Sequence, residues 1–266
     1  MKTIDIFKKI LYQLNISLSR SARNSNLDLF ISKFKKKYLS IELVRVGSRG
    51  DGGYLIPPVL DDITSCFSPG VSDNASFELE LADNKNINCF LADASVNGPP
   101  INHKNFKFTK KFLGSQNLDT FITLSDWVNE MVNIKDDSFI LQMDIEGSEY
   151  EVLSYESASF LSSFRVIIIE FHNLNRLFEK DYLPFYQGIF NKLYENFFIG
   201  HAHPNNCCGS FEVDGIEIPN VMEVTFIRND YLDMVDYEKP LNVPHQFDIK
   251  NVQGNADLLL PKVWWN

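Results

Sequence analysis

Cysteine is scarce in this sequence, and long apolar runs are missing from it. The four cysteines form no C-x-x-C pair, so a zinc site built on cysteine is not expected. Cys207 and Cys208 are adjacent, a spacing that disfavours a disulfide, and we expect four reduced thiols in a cytoplasmic protein. No stretch has the roughly 18 apolar residues of a membrane span, and the N-terminus lacks the pattern of a secretory signal.

Basic residues are outnumbered, with 25 Lys and Arg against 35 Asp and Glu and a net charge of -10. No basic stripe is present, so nucleic acid is not an expected partner. The glycine pattern G-x-G-x-x-G is also absent, which counts against a dinucleotide cofactor. Repeats and low-complexity linkers are missing too, and 266 residues with 44% hydrophobic content suit one large α/β domain.

Short apolar runs alternate with helical stretches from about residue 41 onwards. The runs are rich in Ile, Val and Phe, as buried strands are. They occupy residues 63–71, 87–93, 138–144, 164–172, 197–203 and 222–229. The helical candidates occupy residues 74–84, 121–134, 147–162 and 181–196. This alternation predicts a mostly parallel sheet with helices on both faces.

The two ends of the chain differ from this pattern. We expect a helical extension over 1–40, a central domain over 41–230, and a C-terminal extension over 231–266 that packs on the domain. An amphipathic helix is predicted from the apolar positions Ile4, Ile6, Phe7, Ile10, Leu11 and Leu14. Packing of this helix on the domain or on a second subunit, as in a homodimer, is favoured over membrane attachment. Trp264 and Trp265 are expected to pack on the body, with a partner subunit or a sugar as alternatives.

Polar residues stand where the predicted strands end. Because ligands of parallel sheets bind beyond the carboxyl ends of the strands, these positions are candidates for a functional site. In chain order they are Gly70, Ser72, Asn74, Asp93, Asp144, Glu170, His172, His201, His203, Asn205 and Asn206. Buried carboxylates and imidazoles are unusual without partners or a task.

Two of these strand ends suit a nucleoside ligand. Gly70 permits a tight turn between a strand and a helix, although an ordinary strand-to-helix turn has the same pattern. Asp93 follows the next strand, at a distance from Gly70 that suits a carboxylate accepting both ribose hydroxyls. Capping of the following turn is the alternative for Asp93.

The segment LQMDIEGSEYEVL (141–153) delivers Asp144 to the edge of the sheet. Glu146 and Glu149 follow in the first turn of a helix, where the helix dipole favours negative charge. Asp144 ends an apolar run and has no such simple explanation. It is expected to face a cofactor, a metal or an acceptor hydroxyl.

Imidazole and carboxylate gather at the later strand ends. His172, His201 or His203 could act as a general base oriented by a carboxylate, Asp144 or Glu170. Asp144, Glu170 and His172 could instead bind Mg²⁺ or Mn²⁺. A base without a metal is slightly favoured. The amides of Asn205 and Asn206 are candidates for acceptor binding, with a turn after Pro204 as the alternative.

The segment MDIEGSEYEVL resembles the hallmark of the FkbM-type methyltransferases, a class I, Rossmann-like branch of S-adenosylmethionine enzymes. Four further segments agree with one sub-branch: 44–56 (VRVGSRGDGGYLI), 167–174 (IIIEFHNL), 201–209 (HAHPNNCCG) and 219–229 (PNVMEVTFIRN). The resemblance extends from about residue 41 to about residue 230. It implies a Rossmann-like α/β fold and S-adenosylmethionine as cofactor.

The resemblance also implies roles for single residues. Loop residues Asp51, Gly52, Gly53 and Tyr54 would cover the cofactor, although Asp-Gly also predicts a hairpin turn. Gly70, Ser72 and Asn74 would hold its methionine part, Asp93 and Ala94 its ribose, and Asp144 would face it. Asp144, Glu170, His172, His201 and His203 would form the catalytic or metal site, with Glu146, Asn205 and Asn206 binding the acceptor.

The expected reaction is O-methylation of a small polar acceptor such as a sugar, a sugar nucleotide or a surface-polysaccharide (capsule-type) precursor. Two alternatives remain at this point. One is an NAD-dependent oxidoreductase on a similar sheet, which the absent glycine pattern disfavours. The other is a non-catalytic module that binds a sugar or a protein partner.

Overall fold

The computed structural model describes residues 11, 20–58, 60, 63–132, 138–234, 237 and 241–266. The amphipathic helix predicted for residues 4–14 lies outside these residues, apart from Leu11. The strands are β1 (Val44–Gly47), β2 (Gly53–Ile56), β3 (Ser65–Pro69), β4 (Asn88–Ala92), β5 (Phe106–Thr109), β6 (Phe112–Leu113), β7 (Phe121–Ile122), β8 (Phe139–Met143), β9 (Phe164–Phe171), β10 (Phe197–Pro204), β11 (Ser210–Val213), β12 (Ile216–Pro219) and β13 (Met222–Arg228). The α-helices are α1 (Asn24–Lys37), α2 (Ser76–Lys85), α3 (Leu124–Met131), α4 (Glu149–Tyr155), α5 (Ala158–Leu161) and α6 (Leu183–Asn196). Short 3-10 helices cover Leu174–Phe178, Asn229–Asp233 and Lys262–Trp264.

A seven-stranded sheet forms the centre, in the order β10-β13-β9-β8-β3-β4-β5. The strands from β9 to β5 are parallel to one another, and β13 is antiparallel to both β9 and β10. All six apolar runs predicted as strands belong to this sheet, so the mostly parallel, Rossmann-like α/β fold is confirmed. The edge strand β5 was not predicted, because its residues are only half-buried or exposed.

The strand order reverses between β3 and β8. From β3 the chain continues to β4 and β5 on one side, then returns to β8 and β9 on the other. Such a reversal leaves a crevice beyond the carboxyl ends of the two strands, where ligands of open α/β sheets bind. The turns that follow β3, β4 and β8 therefore surround the same crevice.

Helices and aromatic side chains cover the sheet. One apolar cluster includes the fully buried Phe34, Phe67, Trp127 and Trp264. A second cluster, on residues of the sheet and α2, includes Phe77. The helix predicted over 147–162 is two helices, because the hydroxyl of Ser157 accepts from the amide of Phe160 at 3.1 Å and starts α5 anew.

The hairpin of β1 and β2 places its turn next to the crevice. The two strands are antiparallel, and the turn between them contains Asp51 and Gly52, which confirms the predicted hairpin turn. Gly52 has a φ of +75°, a conformation that its missing Cβ permits. The turn is tied to the start of α2, because the Asn74 amide donates to the Asp51 carbonyl at 3.0 Å and the Ser76 hydroxyl to the Gly52 carbonyl at 3.0 Å.

The C-terminal segment, residues 241–266, packs on the rest of the chain. The indole of Trp264 is buried, its ring lies 5.1 Å from that of Phe34, and its Nε1 donates to the Glu217 carbonyl at 3.0 Å. The packing predicted for this tryptophan is confirmed. None of the helices that the structure describes has the length and apolar character needed to span a bilayer.

The cysteines differ from expectation in one respect. Cys207 and Cys208, in the turn after β10, are joined as a vicinal disulfide. The expectation of four reduced thiols is therefore wrong for this pair. The conformation of the turn after β10 brings the two neighbouring sulfur atoms together. Cys66 and Cys89 are free and buried in the sheet.

Candidate active site

A cavity of about 600 Å³ lies beyond the carboxyl ends of β3, β4 and β8. This volume is typical of sites for small molecules and cofactors. Its polar lining is acidic, with the carboxyl groups of Asp51, Asp73, Glu78, Asp93, Asp144 and Glu146. Among the described residues that line it there is no lysine, arginine or histidine. The cavity therefore favours a ligand that carries positive charge.

Gly70 forms the wall between β3 and β8. Its φ is +87°, and a Cβ at this position would collide with the carbonyl oxygen of Asp144. The tight turn predicted for Gly70 is confirmed, and it lets the turn after β3 lie directly against the end of β8. Ser72 and Asn74 continue this turn and also line the cavity.

Asp93 joins the turns that follow β3 and β4. Its Oδ2 accepts from the Ser72 amide at 3.0 Å, and its Oδ1 accepts from the Ser95 amide at 2.8 Å and hydroxyl at 2.6 Å. The capping predicted as its alternative role is therefore present. Because a carboxylate has about four acceptor positions, one remains for a ligand hydroxyl on the cavity side. Ala94 follows Asp93 but does not line the cavity.

Asp144 directly follows β8 and faces the cavity. Its Oδ1 is buried and has no hydrogen-bond partner among the described residues. Burial raises the pKa of Asp144 to about 7; His172 acts to lower this pKa, while Glu146, Glu149 and Asp51 raise it. Asp144 is thus a carboxyl group whose charge a cationic ligand would stabilise.

Glu149 and His172 form a pair next to Asp144. Oε1 of Glu149 lies 3.0 Å from His172 Nδ1 and accepts from the amides of Ile145 and Gly147 at 3.1 Å each. The carbonyl oxygen of Glu170 lies 3.1 Å from the same ring nitrogen. Two acceptors around Nδ1 place the proton there and leave the lone pair on Nε2.

The Nε2 edge of the His172 ring points towards the cavity wall. Its Nε2 lies 3.9 Å from Asp144 Oδ1 and 3.5 Å from Glu146 Oε2, and both of these residues line the cavity. Burial alone lowers the pKa of His172, but the hydrogen bond to Glu149 and the surrounding carboxylates raise it above its usual value. The ring can accept a proton at Nε2, and the Glu149 carboxylate at Nδ1 would stabilise the imidazolium that results.

Glu170 belongs to a different group of carboxylates. Its Oε1 accepts from the Asn205 amide at 2.7 Å, and burial raises its pKa well above the usual range. Glu170 lies opposite Glu223 across β9 and β13, and one oxygen of each lies within 4.8 Å of an oxygen of Asp51. The expected metal group of Asp144, Glu170 and His172 is thus divided: the structure joins Asp144 and His172 with Glu149, and Glu170 with Asp51 and Glu223.

His201 and His203 do not line the cavity. His201 Nε2 lies 2.8 Å from Asp248 Oδ1, and His203 Nδ1 lies 3.7 Å from Asp248 Oδ2. Both histidines therefore hold the C-terminal segment. Of the five strand-end residues expected to form one catalytic group, these two lie apart from Asp144, because β13 is inserted between β10 and β9 and separates the end of β10 from β8.

The two asparagines also bind protein groups. Asn205 donates to Glu170 and accepts from the Cys207 amide at 2.9 Å. The Asn206 side chain donates to the carbonyls of Val252 and Ala256, at 2.9 and 3.1 Å, and accepts from the Val252 amide at 2.8 Å. These three hydrogen bonds use both donor positions and one acceptor position of the Asn206 side chain. Asn206 therefore holds the C-terminal segment against the rest of the chain.

A polar chain on the cavity floor was not predicted. Gln142 Nε2 donates to the Tyr54 hydroxyl at 2.9 Å, and the Ser68 hydroxyl contacts both Gln142 Oε1 and Glu78 Oε1. Burial raises the pKa of the Glu78 carboxyl group, and its contact with the Ser68 hydroxyl lowers it. The apolar run of β8 predicts that Gln142 is buried. No pattern in the sequence predicts its hydrogen bond with Tyr54.

An aromatic wall was also missed. Phe112 and Phe121, on the short strands β6 and β7, line the cavity with ring centroids 5.7 Å apart. Both rings are partly exposed for side chains of their size, at 41% and 37%. Two-residue strands have no periodic pattern that sequence reasoning can detect.

Comparison with known families decides the class of the protein. Residues 32–199, well over half of the chain, match the methyltransferase FkbM domain. The chain belongs to the FkbM methyltransferase family. Membership implies S-adenosylmethionine as the methyl donor. The resemblance seen in the sequence is thereby confirmed.

Solved structures similar to this FkbM methyltransferase are distant. A fibrillarin/Nop5p complex has 10% identity and a TM-score of 0.39, and the match covers 72% of this chain and 98% of that one. A mutant of the 16S rRNA (adenine(1408)-N(1))-methyltransferase from Catenulisporales acidiphilia has 8% identity and a TM-score of 0.31, covering 75% of this chain and 100% of that one. Scores of this size carry no argument about function. The comparison with curated proteins finds no match.

Proposed function

We propose that the protein transfers the methyl group of S-adenosylmethionine to a hydroxyl of a small polar acceptor. The acceptor class is a sugar, a sugar nucleotide or a surface-polysaccharide (capsule-type) precursor. The observation that carries the cofactor part is the acidic lining of the 600 Å³ cavity, without a basic side chain among its described residues. Enzyme class and cofactor follow from the family; the acceptor and the residue roles below are our proposal.

The charge of S-adenosylmethionine distinguishes it from a dinucleotide cofactor such as NAD. S-adenosylmethionine carries a sulfonium and an ammonium group against one carboxylate, whereas NAD carries a pyrophosphate. A pyrophosphate needs a helix N-terminus with glycines or a basic side chain. The acidic residues around Gly70, with Asp73 and Asp144 on either side of the turn, complement a cation and repel a phosphate.

The cavity has a place for each part of the cofactor. The free acceptor position of Asp93 suits a ribose hydroxyl, and the partly exposed rings of Phe112 and Phe121 suit the face of an adenine. The methionine part is assigned to the turn around Gly70, with Ser72 and Asn74. The hairpin turn, with Asp51, Gly52, Gly53 and Tyr54, closes the other side; of these Asp51, Gly52 and Tyr54 line the cavity.

His172 is assigned the role of general base. When bound, the cofactor supplies an electrophilic methyl carbon. The acceptor hydroxyl must lose its proton as its oxygen attacks that carbon, and His172 Nε2 has the lone pair for it. Glu149 holds the ring and stabilises the imidazolium that results. Glu146, 3.5 Å from Nε2 and exposed, is assigned to the acceptor side.

Calorimetric titration with S-adenosylhomocysteine, and with NAD as the comparison, tests the cofactor assignment. We expect binding of the first and none of the second. Binding of NAD alone would overturn the proposal in favour of an oxidoreductase, and binding of neither would favour a non-catalytic module.

A panel of acceptors tests the reaction itself. Free sugars, nucleotide sugars and an RNA oligonucleotide are incubated with S-adenosylmethionine, and formation of S-adenosylhomocysteine is measured with wild type and His172→Gln. We expect turnover with a sugar-containing acceptor that falls by about 100-fold or more in the variant. Turnover with RNA alone would reject the acceptor class. A cytoplasmic location and a homodimer remain predictions, checked by fractionation and by light scattering.

A further inference from the structure

Three carboxylates from separate elements meet beside the cavity. Asp51 comes from the hairpin turn, Glu170 from the end of β9 and Glu223 from the start of β13. One oxygen from each lies within 4.8 Å of the other two. Glu170 and Glu223 are directly opposed in the antiparallel register, so the backbone itself holds them together. These residues are called the three-carboxylate cluster below.

The cluster contains a buried oxygen that no described residue satisfies. Glu170 is 3% exposed, and its Oε2 has no hydrogen-bond partner among the described residues. Asp144, Glu223 and Asp51 all act on Glu170, and all three are acidic. Directly opposed like charges in a buried position destabilise a sheet, so protonation or a bound cation would stabilise this arrangement.

Three basic side chains act on Glu223, and each also has another partner. Arg45 acts on Glu223, but its guanidinium donates to the carbonyls of Ser48 and Gly50 at 2.9 and 2.7 Å. Two imidazoles also act on Glu223, those of His201 and His203, and Asp248 pairs with both.

We propose that Asp51, Glu170 and Glu223 bind one divalent cation of the Mg²⁺ or Mn²⁺ type. Carboxylate oxygens without sulfur or imidazole are the ligand set that hard cations prefer, and water completes the coordination of such ions. Asp51 is exposed and lines the cavity, so an ion held here has an open side towards it. This proposal rests on the proposed function in one respect: vicinal hydroxyls of the acceptor would replace water on that open side.

The second acidic group, Asp144 with Glu149 and His172, is the weaker candidate for an ion. Oε1 of Glu149 already accepts from two backbone amides and contacts the histidine ring. This group also has buried oxygens without a partner among the described residues, Asp144 Oδ1 and Glu149 Oε2. An ion there would compete with the histidine ring that Glu149 holds, whereas the three-carboxylate cluster offers carboxylate oxygens alone.

Mn²⁺ alone, without cofactor or acceptor, is the probe. The electron paramagnetic resonance signal of free Mn²⁺ is followed during titration into the full-length, chelator-treated protein. The variants are Asp51→Asn, Glu170→Gln and Glu223→Gln. The controls are His172→Gln, for the other acidic group, and Glu130→Gln, for an exposed carboxylate that belongs to neither group. Circular dichroism and S-adenosylhomocysteine titration monitor folding and the cofactor site of every variant.

We expect one Mn²⁺ per chain, with affinity at least about 10-fold weaker in each cluster variant and unchanged in both controls. Since Asp51 is exposed, its substitution keeps the test valid even if the two buried glutamates prove necessary for folding. Equal binding by wild type and Asp51→Asn, loss only in His172→Gln, or no binding by wild type would overturn the proposal. Mn²⁺ binding without S-adenosylhomocysteine binding would reject the proposed function and keep the cation site.

Discussion

Glu149 fixes His172 with a single carboxylate oxygen. That oxygen lies 3.0 Å from Nδ1 of the ring and also accepts the amides of Ile145 and Gly147, so it joins the turn after β8 to the end of β9. The side chain of Glu149 is fully buried. The ring orientation, the tautomer and the turn around Gly147 are therefore one unit, and they change together when the carboxylate is altered.

The first prediction concerns Glu149→Gln. The carboxylate raises the pKa of His172, so the neutral amide should lower that pKa and move the protonation of the ring to lower pH. Imidazole titration by nuclear magnetic resonance measures this without any acceptor. Glu130→Gln, on an exposed surface, should leave the titration unchanged. An unchanged His172 titration in Glu149→Gln would show that the pair is not electrostatically coupled. Once an acceptor is known, kcat should fall by about 10-fold or more while KM for the cofactor stays the same.

The second prediction concerns Asp144 and pH. Its pKa of about 7 means that the carboxyl is largely neutral below pH 7 in the free protein. A sulfonium prefers the ionised form, so binding releases a proton and affinity rises with pH up to about 7. The charged groups that face Asp144 are His172, Glu146, Glu149, Asp51 and Glu170.

Affinities for S-adenosylmethionine and the uncharged sulfur of S-adenosylhomocysteine are compared at pH 6 and pH 8 in the presence of EDTA. The preference for the cation should increase with pH by up to about 10-fold per unit below the pKa. Asp144→Asn should abolish this dependence. A preference that stays constant in wild type would mean that Asp144 does not face the sulfonium.

The third prediction concerns Asp93. Loss of charge-assisted hydrogen bonds to ribose in Asp93→Ala should weaken S-adenosylhomocysteine binding by about 10- to 100-fold. Ser95→Ala is the matched control, because it removes one internal contact of the carboxylate and leaves the carboxylate in place. If both variants weaken binding equally, Asp93 acts through the turn and not through the ligand.

The fourth prediction concerns the latch formed by Asp248 with His201 and His203. Asp248 is mostly buried, and removal of one partner from such a group costs about 3 kcal/mol of unfolding free energy. Burial acts to raise the pKa of Asp248, but the two histidines hold it well below its usual value; burial acts to lower the pKa of His203, but Asp248 and Glu223 raise it.

The directions of these two pKa shifts define the pH range in which the interaction stabilises the fold. A lowered carboxyl pKa stabilises the fold above the unfolded value of 3.8 and loses this effect as pH falls further. A raised imidazole pKa stabilises below the unfolded value of 6.5 and loses its effect as pH rises through the folded value. Urea unfolding should therefore show a larger gap between wild type and Asp248→Asn at pH 5.5 than at pH 8.5. A gap of the same size at both values would exclude a charged His203 beside Asp248.

Strand ends were the part of the site that sequence could predict. Gly70, Asp93 and Asp144 each follow an apolar run, and parallel strands bring the ends of neighbouring runs to one edge whatever the loops do. His172 was identified for the same reason. Glu149 was noted only as a charge in the first turn of a helix, because its contact with a strand end 23 residues later depends on packing.

The positions of the remaining site residues depend on the order of the strands in the sheet, which cannot be predicted from this sequence. Glu170 and Glu223 oppose each other only because β13 inserts beside β9, and that same insertion separates His201 from Asp144. Asp248 lies in irregular chain 47 residues after His201, where no periodic pattern marks a partner. Phe112 and Phe121 belong to strands too short to be detected.

The contact of Asp248 with His201, and of Asn206 with Val252, also sets an order for biosynthesis. All cavity residues lie before residue 149, so the cofactor cavity can assemble while the ribosome is still adding the second half of the sheet. The end of β10 stays open until residues 248–256 have left the ribosome. The residues that line the cavity are therefore synthesised well before those that hold His201 and Asn206 in place.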